Sequence, residues 1–378
     1  MKVLRRYRFH DGTFLARISG WAFLYVCCVA GSAFFAGATR AEAAVSLLLE
    51  QPYGKLNLIN PAGHSAIYLD HVCAETPLKL RACSPGELGV VLSRYDDISG
   101  HDWVAMPLIP YLYAVDSIGG IPKTVNREIA ERLRDAYRRK YLESIAPDGR
   151  DGASPGGNWY ELLGSAFDRT IYGFRVDTTA EQDADLIANF NDRRNVQRYN
   201  GAFRNCADFA RVTINRFYPH AIRRNYIADF GITSPKSVAR SLSHYASKHP
   251  ETGFEVFMIP QVKGSLPRSH SNTGVAEGIL KRYSPPLIII SPVSTAVVFA
   301  AYVGHGRFSM PKHAPMVALV ESSTEAFVGP QVRPFTEIAP VLPPPMMGLK
   351  PAQSDVGMLN APVDAGAQVS LVRVEMAP

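Results

Sequence analysis

Twenty-four consecutive residues, Tyr283 to Gly306, carry no Asp, Glu, Lys or Arg. Water is a poor environment for so long an uncharged run, so its apolar centre, Leu287–Val303 (LIIISPVSTAVVFAAYV), has to be covered by protein or by lipid. As a helix it is about as long as a short membrane span, with Tyr283 and Tyr302 near its ends. As extended chain it makes two core strands, Leu287–Ser291 and Ala296–Val303, parted by Ser-Pro and rich in β-branched residues. Both readings stay open, and residues 284–304 are set apart as an apolar segment. Beyond it, Ala326–Gln368 holds eight prolines and little charge, which predicts a Pro-rich flexible tail over 325–378.

The start of the chain reads as an address. Six basic and two acidic residues fall within 1–43, and Trp21–Ala38 is apolar and uncharged. Ala41-Glu42-Ala43 fits the small-x-small pattern of a signal-peptidase site, so 1–43 is expected to be an export signal and the mature chain to begin near Ala44. An uncleaved anchor is the alternative. Removing the segment lowers the net charge from +6 to about +2 and leaves no basic stripe with interleaved aromatics, so nucleic acid is not an expected partner. Export implies an oxidising compartment, the periplasm or cell envelope. Cys27 and Cys28 leave with the signal. Of the three remaining cysteines, Cys73 and Cys83 lie ten residues apart across a strand-turn-strand pattern, and their disulfide would stabilise the fold by about 2–3 kcal/mol. Cys206 is left over.

The composition, 47% hydrophobic and 20% charged, is that of a globular chain with a substantial core. Residues 44–260 alternate strand and helix signals, which gives an α+β class. Val45–Glu50, the alternating run from His64, Leu78–Cys83, Gly89–Tyr95, Ile171–Val176 and Phe254–Ile259 read as strands. Trp103–Ala114, with Pro107 and Pro110, reads as an irregular edge. Helices are expected from Asn126 to Ile145, Asn158 to Arg169, Thr179 to Asn191 and Asn205 to Tyr218.

The chemistry concentrates in Arg204-Asn205-Cys206-Ala207-Asp208-Phe209. Asn205 is a good N-cap, and Ala210, Ile214 and Phe217 continue an apolar stripe, so Cys206 falls in the first turn of an amphipathic helix. Unpaired N–H groups and the positive end of the helix dipole there favour thiolate over thiol and can hold an oxyanion. A base is needed. His64 opens a strand, follows Gly63, and shares one face with Ala66, Tyr68 and Asp70.

Gly-His-Ser-Ala-Ile-Tyr-Leu at 63–69, followed by Asn-Cys-Ala-Asp-Phe at 205–209, resembles the circularly permuted branch of the NlpC-type papain-fold superfamily. That branch includes lecithin:retinol acyltransferase-like enzymes and bacterial envelope amidases. The resemblance covers about Val45 to Tyr218, with His64 preceding Cys206 by 142 residues in the permuted order. It implies a permuted papain-like catalytic domain over 44–260, with an antiparallel sheet packed against helices, Cys206 as nucleophile and His64 as base. It also implies a third polar group that orients the histidine, after the His strand. Glu75 is the first candidate for it; Asp70, His71 and Asp102 compete.

No HExxH or CxxC spacing occurs, nor a Gly-rich phosphate loop, and the GxSxG spacing at Gly152–Gly156 falls in a Gly- and Pro-rich loop instead of a strand-to-helix turn, so no metal and no cofactor is expected. The expectation is an exported cysteine-dependent hydrolase or acyltransferase acting on an amide or ester. Peptide or cell-wall amides are favoured as substrates and lipid esters are the alternative, with possible membrane association through Leu287–Val303. A non-catalytic envelope module that keeps the fold as a scaffold is the rival reading.

Overall fold

Ala43–Glu50 (AAVSLLLE) is buried along its whole length, and that requires cover on both faces of the sheet it joins. The computed structural model describes residues 43–53, 63–311, 313–322 and 368–374. The expected export signal, apart from Ala43, lies outside the described residues, as do Cys27, Cys28 and the proline-rich stretch 323–367.

The strands are β1 (Ala43–Glu50), β2 (His64–Leu69), β3 (Val72–Thr76), β4 (Lys79–Ala82), β5 (Val90–Ser93), β6 (Val104–Pro107), β7 (Ile171–Thr178), β8 (Glu255–Ile259), β9 (Met316–Ser322) and β10 (Gln368–Val374). The helices are α1 (Leu108–Tyr113), α2 (Arg127–Tyr141), α3 (Ser165–Asp168), α4 (Ala180–Asp192), α5 (Cys206–Phe217), α6 (Pro235–Ala246), α7 (Val275–Ile290) and α8 (Pro292–Ala301). Eight strands form one sheet in the order β10-β9-β8-β7-β1-β2-β5-β6, and β3-β4 is a separate hairpin. The sheet is mixed where a purely antiparallel one was expected. Neighbours run antiparallel except β8 and β9, because the chain between those two crosses over through α7 and α8.

The period of two in the strands sorts the core. Val45, Leu47 and Leu49 of β1 and Ile67 and Leu69 of β2 pack against Ala207, Ala210 and Ile214 of α5, Leu186 of α4 and Val238 of α6. Leu48, Ala66 and Tyr68 face the other way, onto Leu112 of α1, Ala130 of α2 and Phe167 of α3. Leu47, Leu48 and Leu49 are each fully buried, and each contributes about 1.5–3 kcal/mol relative to exposure. The α+β class therefore holds, with helices on both faces of the sheet.

Several local expectations need correction. Trp103–Ala114 is an edge strand, β6, whose last residue is Pro107, followed by helix α1. The helix expected after Asn158 splits into a 3-10 turn (Trp159–Leu162) and α3, because Gly164 adopts φ +67° between them. Helix α6, with Ser234 and Ser237 in a capping box, went unread in the sequence. The sheet also runs past residue 260. Strands β9 and β10 extend it, and β10 lies inside the stretch expected to be a flexible tail. Leu287–Val303 is helical and not a pair of core strands.

Candidate active site

Cys206 opens α5, as its N-cap predicts. Asn205 accepts a hydrogen bond from the Asp208 N–H at 2.9 Å, while its amide donates to the carbonyls of Gly201 and Thr233, each at 2.9 Å. One side chain thus caps the helix and ties it to two loops. Asp208, in the first turn, accepts from Arg211, Arg224 and the Thr233 hydroxyl, so its carboxylate is already engaged.

The thiol is free and 6% exposed. The backbone N–H groups of Ser65 and Ala207 favour its thiolate form. Helix α5 packs on β1 and β2 through Ala207, Ala210 and Ile214, on the face that carries Leu47, Leu49 and Ile67. Burial pushes the thiol up to about 11, against the downward pull of those two N–H groups and the Arg169 charge. This corrects the expectation of a resting thiolate: at the start of this helix desolvation outweighs the dipole, and Cys206 rests protonated at neutral pH.

His64 begins β2 one residue before Ser65, and its side chain lies on the face it shares with Ala66, Tyr68 and Tyr95. Gly63 makes the entry possible. Its φ is +82°, and a Cβ there would lie 2.1 Å from the Glu50 carbonyl and 2.4 Å from the Asn272 amide. The imidazole is 2% exposed and stacks on Tyr95, ring centroids 4.0 Å apart. Burial and the positive charge of Arg169 hold it well below its usual range, so it rests neutral. Its Nε2 is buried with no hydrogen-bond partner, and so is the Ser65 hydroxyl. Consecutive strand residues point to opposite faces, so Ser65 lies on the α5 side of the sheet and His64 on the other, and the structure does not bring the imidazole and the thiol onto one face.

Glu50 stands directly across from His64 in the β1–β2 ladder, on the same face. It accepts from the hydroxyls of Tyr111 and Ser165 and pairs with Arg169 Nε at 3.4 Å. Burial raises its carboxyl, and Arg169, Tyr111 and Ser165 oppose that rise. Arg169 is 3% exposed, held between Glu50 and Glu161, with the Tyr53 ring 4.6 Å from its guanidinium carbon. Tyr53 donates to Glu161 Oε1 at 3.0 Å and Tyr95 to the Glu161 carbonyl at 2.9 Å. The ring that stacks on His64 is thereby fixed to the network that charges its surroundings. The Tyr199 hydroxyl is pushed up by burial and by the charge Cys206 would carry.

Glu75 is not brought to His64. It lies in the β3–β4 hairpin, beyond the opposite end of β2, with its half-exposed carboxylate paired to Lys79 at 3.0 Å. Strand β2 breaks at Asp70-His71, and the chain from Val72 to Ala82 leaves the main sheet. Asp70 accepts from the Ala44 N–H at 2.7 Å and pairs with His71 at 2.8 Å. Asp102 pairs with Arg94. The group opposite the histidine is Glu50, which precedes it in sequence. Its signal was legible: a carboxylate ending an otherwise apolar strand. Arg169, Tyr95 and Tyr199 carried no local pattern.

Alongside α5 a recess of about 240 Å³ is lined by Arg94, Arg193, Arg194, Arg204 and Arg216. The acids in its wall, Asp102 and Asp208, are already paired with arginines. Burial, and after it the neighbouring Arg193, push Arg216 down. The sulfurs of Cys73 and Cys83 are joined to each other, with Cα atoms 4.9 Å apart, as their spacing predicts. No family model, no curated protein and no solved structure matches the chain.

Proposed function

We propose that the chain is an exported cysteine-dependent hydrolase or acyltransferase acting on an amide or ester, with Cys206 as nucleophile and His64 as base. One observation carries the reading. A free thiol opens a capped helix that packs on the strand headed by a neutral histidine whose Nε2 has no partner. In this reading His64 reaches round the end of β2 to take the thiol proton as Sγ attacks the carbonyl carbon, and the backbone N–H groups at the start of α5 hold the oxyanion. The imidazolium returns the proton to the departing amine or alcohol, leaving a thioester. Water or a second acceptor, deprotonated by His64, then attacks the thioester and frees Cys206 as thiol. Glu50 and Tyr95 orient the imidazole. The motif's resemblance to permuted papain-fold enzymes supports the same roles. The arginine-lined recess favours substrates that carry carboxylates, as peptides and cell-wall amides do.

The second reading is a non-catalytic envelope module. The deep burial and protonated rest state of Cys206 favour it. Incubation with an activated acyl ester separates the two. An enzyme accumulates a hydroxylamine-labile adduct on Cys206, detected by peptide mass spectrometry. The adduct is absent in Cys206→Ala and slowed by about 10²-fold or more in His64→Ala. A Cys206 that acylates no faster with His64 than without it supports the scaffold.

A further inference from the structure

The charge-free run Tyr283–Gly306 belongs to a helical hairpin with an exposed apolar tip. Its base is fixed. The Val275 N–H donates to Asp229 at 3.0 Å, Lys236 of α6 pairs with buried Glu277 at 2.7 Å, and Ala276 and Glu277 are buried. The return arm ends where the Asn225 amide donates to the His305 carbonyl at 2.9 Å and Gly306 packs on Ala228. Away from this base, exposure rises to 83% at Ile289, 80% at Ile290 and 73% at Val293.

We propose that this hairpin, α7–α8, inserts its tip into one leaflet of a membrane and holds the protein on an anionic lipid surface. Ile288, Ile289 and Ile290 are consecutive and all exposed, so they cover more than half the circumference of the helix. A protein groove covers one stripe of a helix, whereas surrounding hydrocarbon accepts every face. The hydroxyls at the turn are satisfied within it: Thr295 donates to the Ser291 carbonyl at 3.0 Å and Ser291 to Ser294 at 2.7 Å. Pro285 and Pro286 free helix carbonyls nearer the base.

Length and charge fix the depth. No described helix is long and apolar enough to cross a membrane. Tyr283–Ile290 rises about 12 Å and α8 about 15 Å, which matches one leaflet of a hydrocarbon core about 30 Å thick. Residues 278–320 contain no acid, and all four of their basic residues, Lys281, Arg282, Arg307 and Lys312, lie outside 283–306. Lys281, Arg282 and Arg307 are exposed, at the level where anionic headgroups would meet them. Tyr226, Ile227 and Phe230, also exposed, continue the apolar surface from the loop that anchors the base. This inference does not depend on Cys206 being a nucleophile.

The test places a reporter at the tip. Full-length Ile289→Trp is mixed with phosphatidylethanolamine vesicles containing phosphatidylglycerol, and the emission of the unsubstituted chain is subtracted. Insertion gives a blue shift and quenching by lipids brominated at mid-chain. In the same vesicles the full-length Ile289→Glu/Val293→Glu variant, whose changes touch only exposed positions, loses quenching of a Val297→Trp reporter by about tenfold or more in lipid affinity. Emission from residue 289 that vesicles leave unchanged overturns the proposal. So does a blue shift that needs no vesicles and vanishes on dilution, because the tip is then covered by a second copy of the chain.

Discussion

Cys206 shows two physical terms of opposite sign acting on one atom. Helix N–H groups favour the thiolate and burial disfavours it, and burial wins. The stability of the protein inherits this. The unfolded thiol loses its proton near pH 8.5 and the folded one near 11, so between those values the unfolded state binds fewer protons. Stability contributed by the thiol is complete below about pH 8.5 and falls by about 3 kcal/mol as pH rises towards 11. Urea titrations of the wild type and Cys206→Ala across that range are expected to converge by about this amount, and parallel curves would refute it. Gly63 is the other residue whose role is backbone-deep. Gly63→Ala forces a Cβ into the Glu50 carbonyl at a positive φ and is expected to cost at least about 2 kcal/mol in the same assay. Acylation of Cys206 should fall with it, since His64 follows directly.

At the scale of elements, the local signals were strong wherever a cap, a spacing or an alternation marked them. Asn126 and Thr179 cap α2 and α4 as their sequences predict, and Asn205 caps α5. The run from His64 forms β2 with Ala66 and Tyr68 on one face and Ile67 and Leu69 on the other. The hairpin β3–β4 is closed by Cys73–Cys83 and by Arg81, which grips Glu87. Because the hairpin stands outside the main sheet, Cys73→Ala/Cys83→Ala is expected to lower stability by about 2–3 kcal/mol and leave Cys206 acylation unchanged. A double variant that lost acylation would show that the clip supports the site. Glu75 illustrates the limit of such reading. Its distance along the chain suited a third catalytic group, but Asp70-His71 turns the strand and sends the carboxylate to Lys79.

At the scale of the molecule, the start of β1 meets the expected processing point. Cleavage after Ala43 would place the new ammonium group of Ala44 where its nitrogen now lies, 2.7 Å from Asp70 Oδ1. A hydrogen bond from a neutral amide to the carboxylate then becomes an ion pair. If the expected cleavage occurs, N-terminal sequencing of the processed protein begins at Ala44, and Asp70→Asn destabilises the processed form more than the full-length chain. Equal effects on both would remove the ion pair.

The sequence by itself determined what local chemistry can encode: a cysteine at a capped helix start, a histidine at a strand head, a disulfide across a short hairpin, and a run too apolar for water. Only the tertiary structure decided three things. It set Glu50 across from His64, because strand register is a property of two chains side by side. It buried Cys206 deeply enough to keep its proton, because desolvation sums over every neighbour, whichever part of the sequence supplies it. And it made Leu287–Val303 an exposed hairpin, because the sheet completes itself with β9 and β10 and leaves that run no strand to pair with.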